Sequence, residues 1–248
     1  MTATPAWPPQ STPRLFVEQC LDVLTEIEID GPSAHYLISV MRMKTGAPVK
    51  LFDDQSGEWL GEASDVGKRS LTIALRGQLR PREIVPNIWL AAAPIRKARY
   101  DWVAEKACEL GVDRFIPVLT QRCVADKVKP DRLRAHMIEA AEQCGRTALP
   151  KVDEVSKLSP FLKMLEPGRA LFFADEQGGA PAADAYAAHR GPAAIIVGPE
   201  GGFTHEERAL LVAHSSTVPT SLGPRILRAD SAAIAALSIW MSVNGDWR

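Results

Sequence analysis

The stretch AAIIVGPEGGFTHEER, residues 193–208, joins an apolar run, a glycine-rich turn and a helix start. Gly198 begins the turn, and Gly201 and Gly202 leave backbone amides unshielded, as a phosphate-binding loop would. Neither a Gly-x-Gly-x-x-Gly motif nor a Gly-Lys-Ser/Thr ending is present, however. Acidic residues that would repel a phosphate also cluster there, namely Glu200, Glu206 and Glu207. The loop favours a neutral or cationic ligand, and the alternative is a tight turn that binds nothing.

The helix after this loop has a clear start signal. Thr204 stands where an N-cap is expected, and Glu207 three residues later completes a capping box. The loop is therefore predicted to run directly from a buried strand into a helix.

A second loop, SLGPRILRADSAA at 221–233, also connects a strand-like segment to a helix. Asp230 is a good N-cap residue, and the small residues after it would let a flat ligand come close. Ligands of open α/β sheets bind beyond the carboxyl ends of strands, so both loops are candidates for one site. Arg228 is the better functional candidate. The alternative places Ile226 and Leu227 in the core and leaves both arginines solvated, and for Arg225 this alternative is favoured.

Other residues that could do chemistry do not assemble into a known motif. Glu139, Gln143 and Arg146 have helical spacing and would share one face, for which a hydrogen-bonded polar surface is the alternative. The four cysteines form no Cys-x-x-Cys pair, and no histidine stands at zinc-site spacing from them. No metal site and no Ser-His-Asp order is found. Reduced thiols and a cytoplasmic location are expected.

The first part of the chain alternates short strands with turns. After a flexible leader at 1–13, strands are predicted at 14–18, 24–29, 49–53, 58–65 and 70–77, with one helix at 32–43. This pattern is typical of a small β-barrel, which we assign to residues 14–80. No apolar run is long enough to span a membrane.

The rest of the chain, 81–248, alternates strands with helices. Apolar strands are predicted at 88–93, 114–119, 170–175 and 193–198, with helices at 99–110, 131–144, 205–214 and 231–243. Continuous apolar strands between helices predict an α/β domain with a parallel sheet covered on both faces.

Charged residues are unevenly distributed along the chain, although the net charge is only −1. Eight basic residues and one acid lie between Lys68 and Arg99. Two differently solvated surfaces would explain this, and so would one face that meets a polyanion.

Three stretches together resemble the RsmE family of ribosomal RNA methyltransferases, within the SPOUT superfamily. They are GPEGGFTHEE, LGPRILRADSAA, and KACELGVDRFIPVLTQRC followed by EAAEQCGR. The segment HYLISVMRMKTGAPVKLFDDQSGEW resembles the small PUA-like RNA-binding barrel of that family. The resemblance runs in order from Arg14 to Asp246.

The resemblance implies methyl transfer from S-adenosylmethionine to N3 of one uridine of 16S rRNA, uridine 1498 in the family. It also implies a homodimer and a five- or six-stranded sheet with a C-terminal trefoil knot. The cofactor pocket would be built from both loops, by Gly198, Glu200, Gly201, Gly202, Leu222, Gly223, Ile226, Leu227 and Arg228. The family usually has Arg-Thr-Glu-Thr-Ala where this chain has Arg-Ala-Asp-Ser-Ala, which puts a catalytic duty of Asp230 in doubt.

Roles follow from the chemistry of uridine. Its N3 carries a proton, so attack requires a base, and a cation near the ring oxygens would favour the anion. Arg228 is the candidate cation and Glu200 the weaker candidate for proton acceptor. RNA contacts are predicted for basic residues, namely Arg14, Arg42, Lys44, Lys68, Arg69, Arg80, Arg82 and Arg146.

Two other functions stay open on the sequence. One is a SPOUT methyltransferase for another rRNA or tRNA nucleotide, and the other is a non-catalytic RNA-binding assembly factor. A nicotinamide oxidoreductase would need an early Gly-x-Gly-x-x-Gly turn, which the sequence does not contain.

Overall fold

The computed structural model describes residues 12–124 and 127–247. Nearly all of the predicted leader, 1–13, therefore lies outside the described residues. The chain forms two compact units. The first runs up to Ile84 and also contains Ala141–Ala148, whereas the second contains Val85–Ala140 and the chain from Leu149 onward.

The first unit is built on a five-stranded sheet of order β1-β3-β4-β5-β2. The strands are β1 Arg14–Phe16, β2 Glu26–Ile29, β3 Pro48–Phe52, β4 Gly57–Val66 and β5 Leu71–Pro81. All five predicted strands are confirmed. Successive side chains of a strand point to opposite faces of the sheet. In β2, Ile27 and Ile29 therefore lie in the core and the two glutamates are exposed.

The predicted helix at 32–43 is shorter and irregular. Helix α1 covers Gly31–His35, and a π-helical turn follows at Tyr36–Val40. The chain then leaves the helix at Arg42, whose φ of 52° is unusual for a residue other than glycine. Met43, directly beyond this turn, lies in the core of the first unit.

The second unit contains a parallel sheet of order β11-β13-β10-β12-β6-β7-β8, with β9 pairing β7. Its longer strands are β6 Ile88–Ala92, β7 Arg114–Leu119, β10 Ala170–Ala174, β12 Ala193–Val197 and β13 Thr217–Ser221. Two-residue strands extend it, namely β8 Lys151–Val152, β9 Ser156–Lys157 and β11 Ala180–Pro181. All residues of β6 and β12 are buried, as a sheet covered on both faces requires.

Helices cover this sheet. They are α2 Lys97–Glu109, α3 Pro130–Cys144, α4 Leu158–Met164, α5 Ala182–Ala188, α6 His205–Ala213 and α7 Ala229–Val243. The four predicted helices of this part are confirmed, and the short α4 and α5 were missed. Helix α7 packs against α2 and α5.

The predicted α/β class with a parallel sheet is confirmed. The trefoil knot stays a prediction. Within the described residues, no helix has both the length and the apolarity needed to cross a membrane.

Candidate active site

A cavity of 310 Å³ lies in the second unit where β10, β12 and β13 end. This is the carboxyl edge of the parallel sheet, where ligands of such sheets bind. Both candidate loops line it. Of the nine predicted cofactor residues, eight line the cavity, namely Gly198, Glu200, Gly202, Leu222, Gly223, Ile226, Leu227 and Arg228. Gly201 is not among the lining residues.

The glycines of the first loop make room for neighbours within the chain. A Cβ at Gly198 would lie 2.8 Å from the ring of Phe203. A Cβ at Gly201 would lie 3.2 Å from the side chain of Arg122, whose guanidinium donates to the Gly201 carbonyl at 2.8 Å. The two glycines therefore allow the loop to fold tightly over a ring and a guanidinium.

Gly202 has a different reason to be glycine. Its φ is +67°, a region that other residues seldom adopt, and a Cβ there would lie 3.1 Å from Oε1 of Glu176. The carboxylate of Glu176 and the backbone of Gly202 thus face each other on the cavity wall.

The predicted capping box is confirmed, and it does more than start α6. Glu207 accepts a hydrogen bond from the Thr204 amide at 3.0 Å, and the Thr204 hydroxyl accepts one from the Glu207 amide at 3.2 Å. The other carboxylate oxygen of Glu207 accepts from the Gln121 amide at 2.7 Å. Buried Glu207 therefore ties this loop to the segment after β7. Of the three acids that the sequence placed near a ligand, only Glu200 lines the cavity.

The second loop differs from its prediction at the helix start. Helix α7 begins at Ala229 with Arg228 as N-cap, so Asp230 lies in the first turn and is not the cap. Asp230 accepts from the Ser231 amide and forms an ion pair with Arg99 at 3.5 Å. Its contacts are structural, which agrees with the doubt about a catalytic duty.

The other side chains of the same loop are exposed or half-buried. Ile226 is 87% exposed, so the alternative that placed it in the core is wrong. Gly223 has a φ of +108°, which explains the glycine in this turn. Arg228 is exposed, and within the described part of the chain its guanidinium has no recorded hydrogen bond or ion pair.

Sequence reasoning missed the third wall of the cavity. Asp175 directly follows β10, is buried, and pairs with Arg208 of α6 at 2.8 Å. Glu176 and Gln177 follow it along the wall. The sequence signal that could have identified this wall is an acid, Asp175, immediately after the apolar run ALFFA. Among the described residues, no group of His, Cys, Asp or Glu is arranged to hold a metal ion.

The predicted shared face of Glu139, Gln143 and Arg146 is not formed. Helix α3 ends at Cys144, and Gly145 turns the chain with a φ of +84°. Glu139 and Gln143 are exposed, whereas the Arg146 side chain is only 4% exposed.

Two predicted RNA-binding arginines are largely buried in the first unit. Arg14 is 10% exposed and pairs with Glu58. Arg146 is enclosed near Glu83, with 3.7 Å between Nε and the carboxylate. Neither side chain has free surface with which to contact a phosphate in this conformation.

The other predicted RNA-binding residues lie at two ends of the first unit's sheet. Lys44 lies in the turn before β3, and Lys68 and Arg69 lie in the turn between β4 and β5, at the same end. All three are exposed, as is Arg42. At the other end, Arg80 pairs with Glu58 and Arg82 pairs with Asp54.

Comparisons with known proteins agree with this arrangement. A family model described as an RNA methyltransferase domain matches residues 82–241, and one described as an RNA methyltransferase PUA domain matches residues 29–76. Ribosomal RNA small subunit methyltransferase E of Rickettsia conorii is 31% identical over 229 residues, covering 91% of this chain and 93% of the relative. The Bacillus subtilis protein of that name is 30% identical over 242 residues, covering 91% and 94%.

Solved structures are similar over nearly the whole chain. A protein from Legionella pneumophila, solved in complex with the bound cofactor SAM, has a TM-score of 0.84 and 28% identity, covering 95% of this chain and 99% of that one. A ribosomal RNA small subunit methyltransferase E from Neisseria gonorrhoeae, at 24% identity and a TM-score of 0.85, shares the fold over 96% of this chain and 100% of that one. The sequence resemblance and the predicted N-terminal PUA-like domain are confirmed. This chain belongs to the family of ribosomal RNA small subunit methyltransferase E.

Proposed function

We propose that this protein transfers a methyl group from S-adenosylmethionine to N3 of a uridine in 16S rRNA of the small ribosomal subunit. One observation carries the proposal: the two loops that the family resemblance marks as the cofactor site converge on a single cavity. The Legionella pneumophila structure, similar over most of its length, was solved with the same cofactor bound.

The cavity suits this cofactor in size and charge. Its 310 Å³ lies at the lower end of the range of small-molecule pockets. Asp175 is already paired with Arg208, which leaves the carboxylates of Glu176 and Glu200 on the wall to favour a cation. The exposed Arg225 on the opposite loop can meet a carboxylate.

When bound, the cofactor would supply an electrophilic methyl carbon on a sulfonium, which needs only an aligned nucleophile. The residues of this chain then position the acceptor and handle its proton. Arg228 would hold its guanidinium near a ring oxygen of uridine, where it stabilises the anion that forms as N3 loses its proton. Glu200, exposed on the facing loop, is the candidate acceptor for that proton.

RNA binding is assigned to the first unit. The exposed turns that carry Lys44, Lys68 and Arg69 form a basic end of its sheet, suited to phosphate contacts. A base in folded rRNA must also leave its stack to reach a cavity, as it does in other base-modifying enzymes. We also propose that the active form is a homodimer, which analytical ultracentrifugation tests.

The test is transfer of labelled methyl groups to small subunits from a strain that lacks the modification, followed by nucleoside mass spectrometry. We expect the label in 3-methyluridine. Label in a different nucleoside would support instead a SPOUT methyltransferase of other specificity.

The assembly-factor alternative gives a separate outcome. Calorimetry with S-adenosylmethionine should show binding to the free protein. Absence of both binding and transfer would favour a non-catalytic RNA-binding factor and reject the proposal.

A further inference from the structure

A second cavity of 310 Å³ lies in the second unit beyond the carboxyl ends of β6 and β7. It is lined by the first turns of α2 and α3 and by the segments that lead into them. Ile95, Tyr100 and Leu133 form its apolar part and are buried. The mechanism proposed above uses none of these residues.

The polar part of this second cavity is strongly cationic. Arg132 is neutralised by Asp101, with 2.6 Å between the guanidinium and the carboxylate. Lys97, Lys127 and Lys129 also line the cavity, and no carboxylate within the described residues forms a recorded ion pair with them. Among the described residues, three lysines without a recorded ion pair therefore line one cavity.

The helix ends add to this positive potential. Helices α2 and α3, of 13 and 15 residues, both begin at the cavity. The N-terminal end of a helix carries a partial positive charge and free amides, so it favours an anion. Lysines and helix ends thus point to the same kind of ligand.

The apolar part narrows the choice of anion. A simple inorganic anion gains nothing from an aromatic and aliphatic floor, whereas a nucleotide can place its base or ribose there and its phosphate against the lysines. The volume lies within the range of small-molecule pockets.

The second cavity is adjacent to the cofactor cavity. A narrow gap of 10 Å³ is lined by Ile95 and Tyr100 from the second cavity and by Gly198 and Ala229 from the first. A nucleotide chain whose acceptor base enters the cofactor cavity would therefore pass close to the lysines.

We infer that the second cavity is a nucleotide subsite, in which Lys97, Lys127 and Lys129 bind the phosphate of an RNA residue next to the methylated one. The assignment of this nucleotide to RNA rests on the proposed function. A free mononucleotide has the same chemistry, and the experiment separates the two sources.

The test compares the double variant Lys127→Ala/Lys129→Ala with wild type in methyl transfer to small subunits at several salt concentrations. We expect KM to rise about tenfold and the slope of log affinity against log salt to flatten by about one unit in total, because both lysines contact the same phosphate. The kcat and the calorimetric affinity for S-adenosylmethionine should stay within about twofold, because the lysines do not line the cofactor cavity.

Controls separate this effect from a general loss of surface charge. Lys163→Ala removes an exposed lysine on α4 of the same unit and should change neither KM nor slope. Lys127→Arg/Lys129→Arg keeps the charges and should restore both values. Both lysines are exposed, so we expect the variants to melt at the same temperature as wild type. Equal melting temperatures would exclude unfolding as the cause of a change in KM.

Two outcomes would overturn the inference, and a third would separate it from the proposed function. An unchanged KM and slope in the alanine double variant would refute it, even if the protein makes 3-methyluridine. Calorimetric binding of uridine monophosphate that the double variant loses, with unchanged KM for subunits, would show a free-nucleotide site and refute the RNA assignment. If the label enters another nucleoside while KM and slope still change, the proposed uridine chemistry fails and the subsite stands.

Discussion

Replacement of Arg14 by alanine separates two roles for this side chain. The sequence predicts an RNA contact, whereas the structure surrounds the guanidinium with partners inside the first unit. It pairs with Glu58, donates to the carbonyl of Ala141, and donates to the carbonyl of Arg146 at 2.6 Å. It also lies 3.7 Å from the centre of the Phe52 ring.

The expected cost follows from these contacts. Glu58 is 8% exposed and, among the described residues, would keep Arg80 as its recorded ion-pair partner, with 3.0 Å between Nε and the carboxylate. Each carbonyl that loses a charged donor costs about 1 kcal/mol or more, and breaking a buried ion pair from one side costs about 3–5 kcal/mol in total. Arg14→Ala should therefore lower the free energy of unfolding of the first unit by about 3–5 kcal/mol.

The assay is calorimetric unfolding at neutral pH, in which the first unit should melt more than about 12 °C lower, since each kcal/mol shifts a domain of this size by about 4–8 °C. Arg76→Ala is the matched control. It breaks an exposed ion pair with Glu62, in which the arginine is 53% exposed, and should cost less than about 1 kcal/mol. Full stability of Arg14→Ala together with weaker RNA binding and a flatter salt slope would refute this reasoning and support the RNA contact.

Three further predictions concern the site and the pH dependence of stability. Arg228→Ala should lower kcat about 100-fold or more without changing cofactor affinity, whereas Arg225→Ala should keep kcat; equal kcat in both variants would remove the role of Arg228. Gly202→Ala should weaken cofactor binding several-fold in calorimetry, because the added Cβ would crowd the cavity wall. Gly168→Ala is the control, since Gly168 also has a positive φ, +86°, but has open space around it, and this variant should keep the wild-type affinity. Equal cofactor affinities in the two variants would contradict the prediction. Burial raises the pKa of Glu58, but hydrogen bonds and charges from its two arginines outweigh burial and hold it below the ordinary 4.5. Its stabilisation is therefore present above pH 4.5 and is lost as pH falls through the lowered pKa, so urea unfolding of wild type and Glu58→Gln should converge in acid; a constant difference would disprove it.

Local sequence was enough for the longer strands and helices of the second unit and for the two loops. The capping box of Thr204 and Glu207 depends on residues three apart, and strand β12 is a continuous apolar run. Such signals act within one turn or one strand, so they can be read without tertiary contacts. The family resemblance then assigned both loops to one pocket, which the cavity supports.

Longer-range contacts decided the rest. Strand β10 lies between β12 and β13, so Asp175 meets Arg208 across 33 residues of sequence. The turn at Gly145 breaks the helical spacing that predicted a shared face, and Arg146 lies with residues 141–148 in the first unit.

The basic residues show most clearly what local sequence predicts and what long-range contacts decide. Composition shows that Arg14, Lys44 and Arg146 are charged, but not which of them are exposed. Burial depends on which segments pack together, and residues 141–148 join the first unit only in the folded chain. The sequence alone therefore determined the longer elements, the family and the loops of the site, whereas the tertiary structure decided which charges support the fold and which remain free to bind.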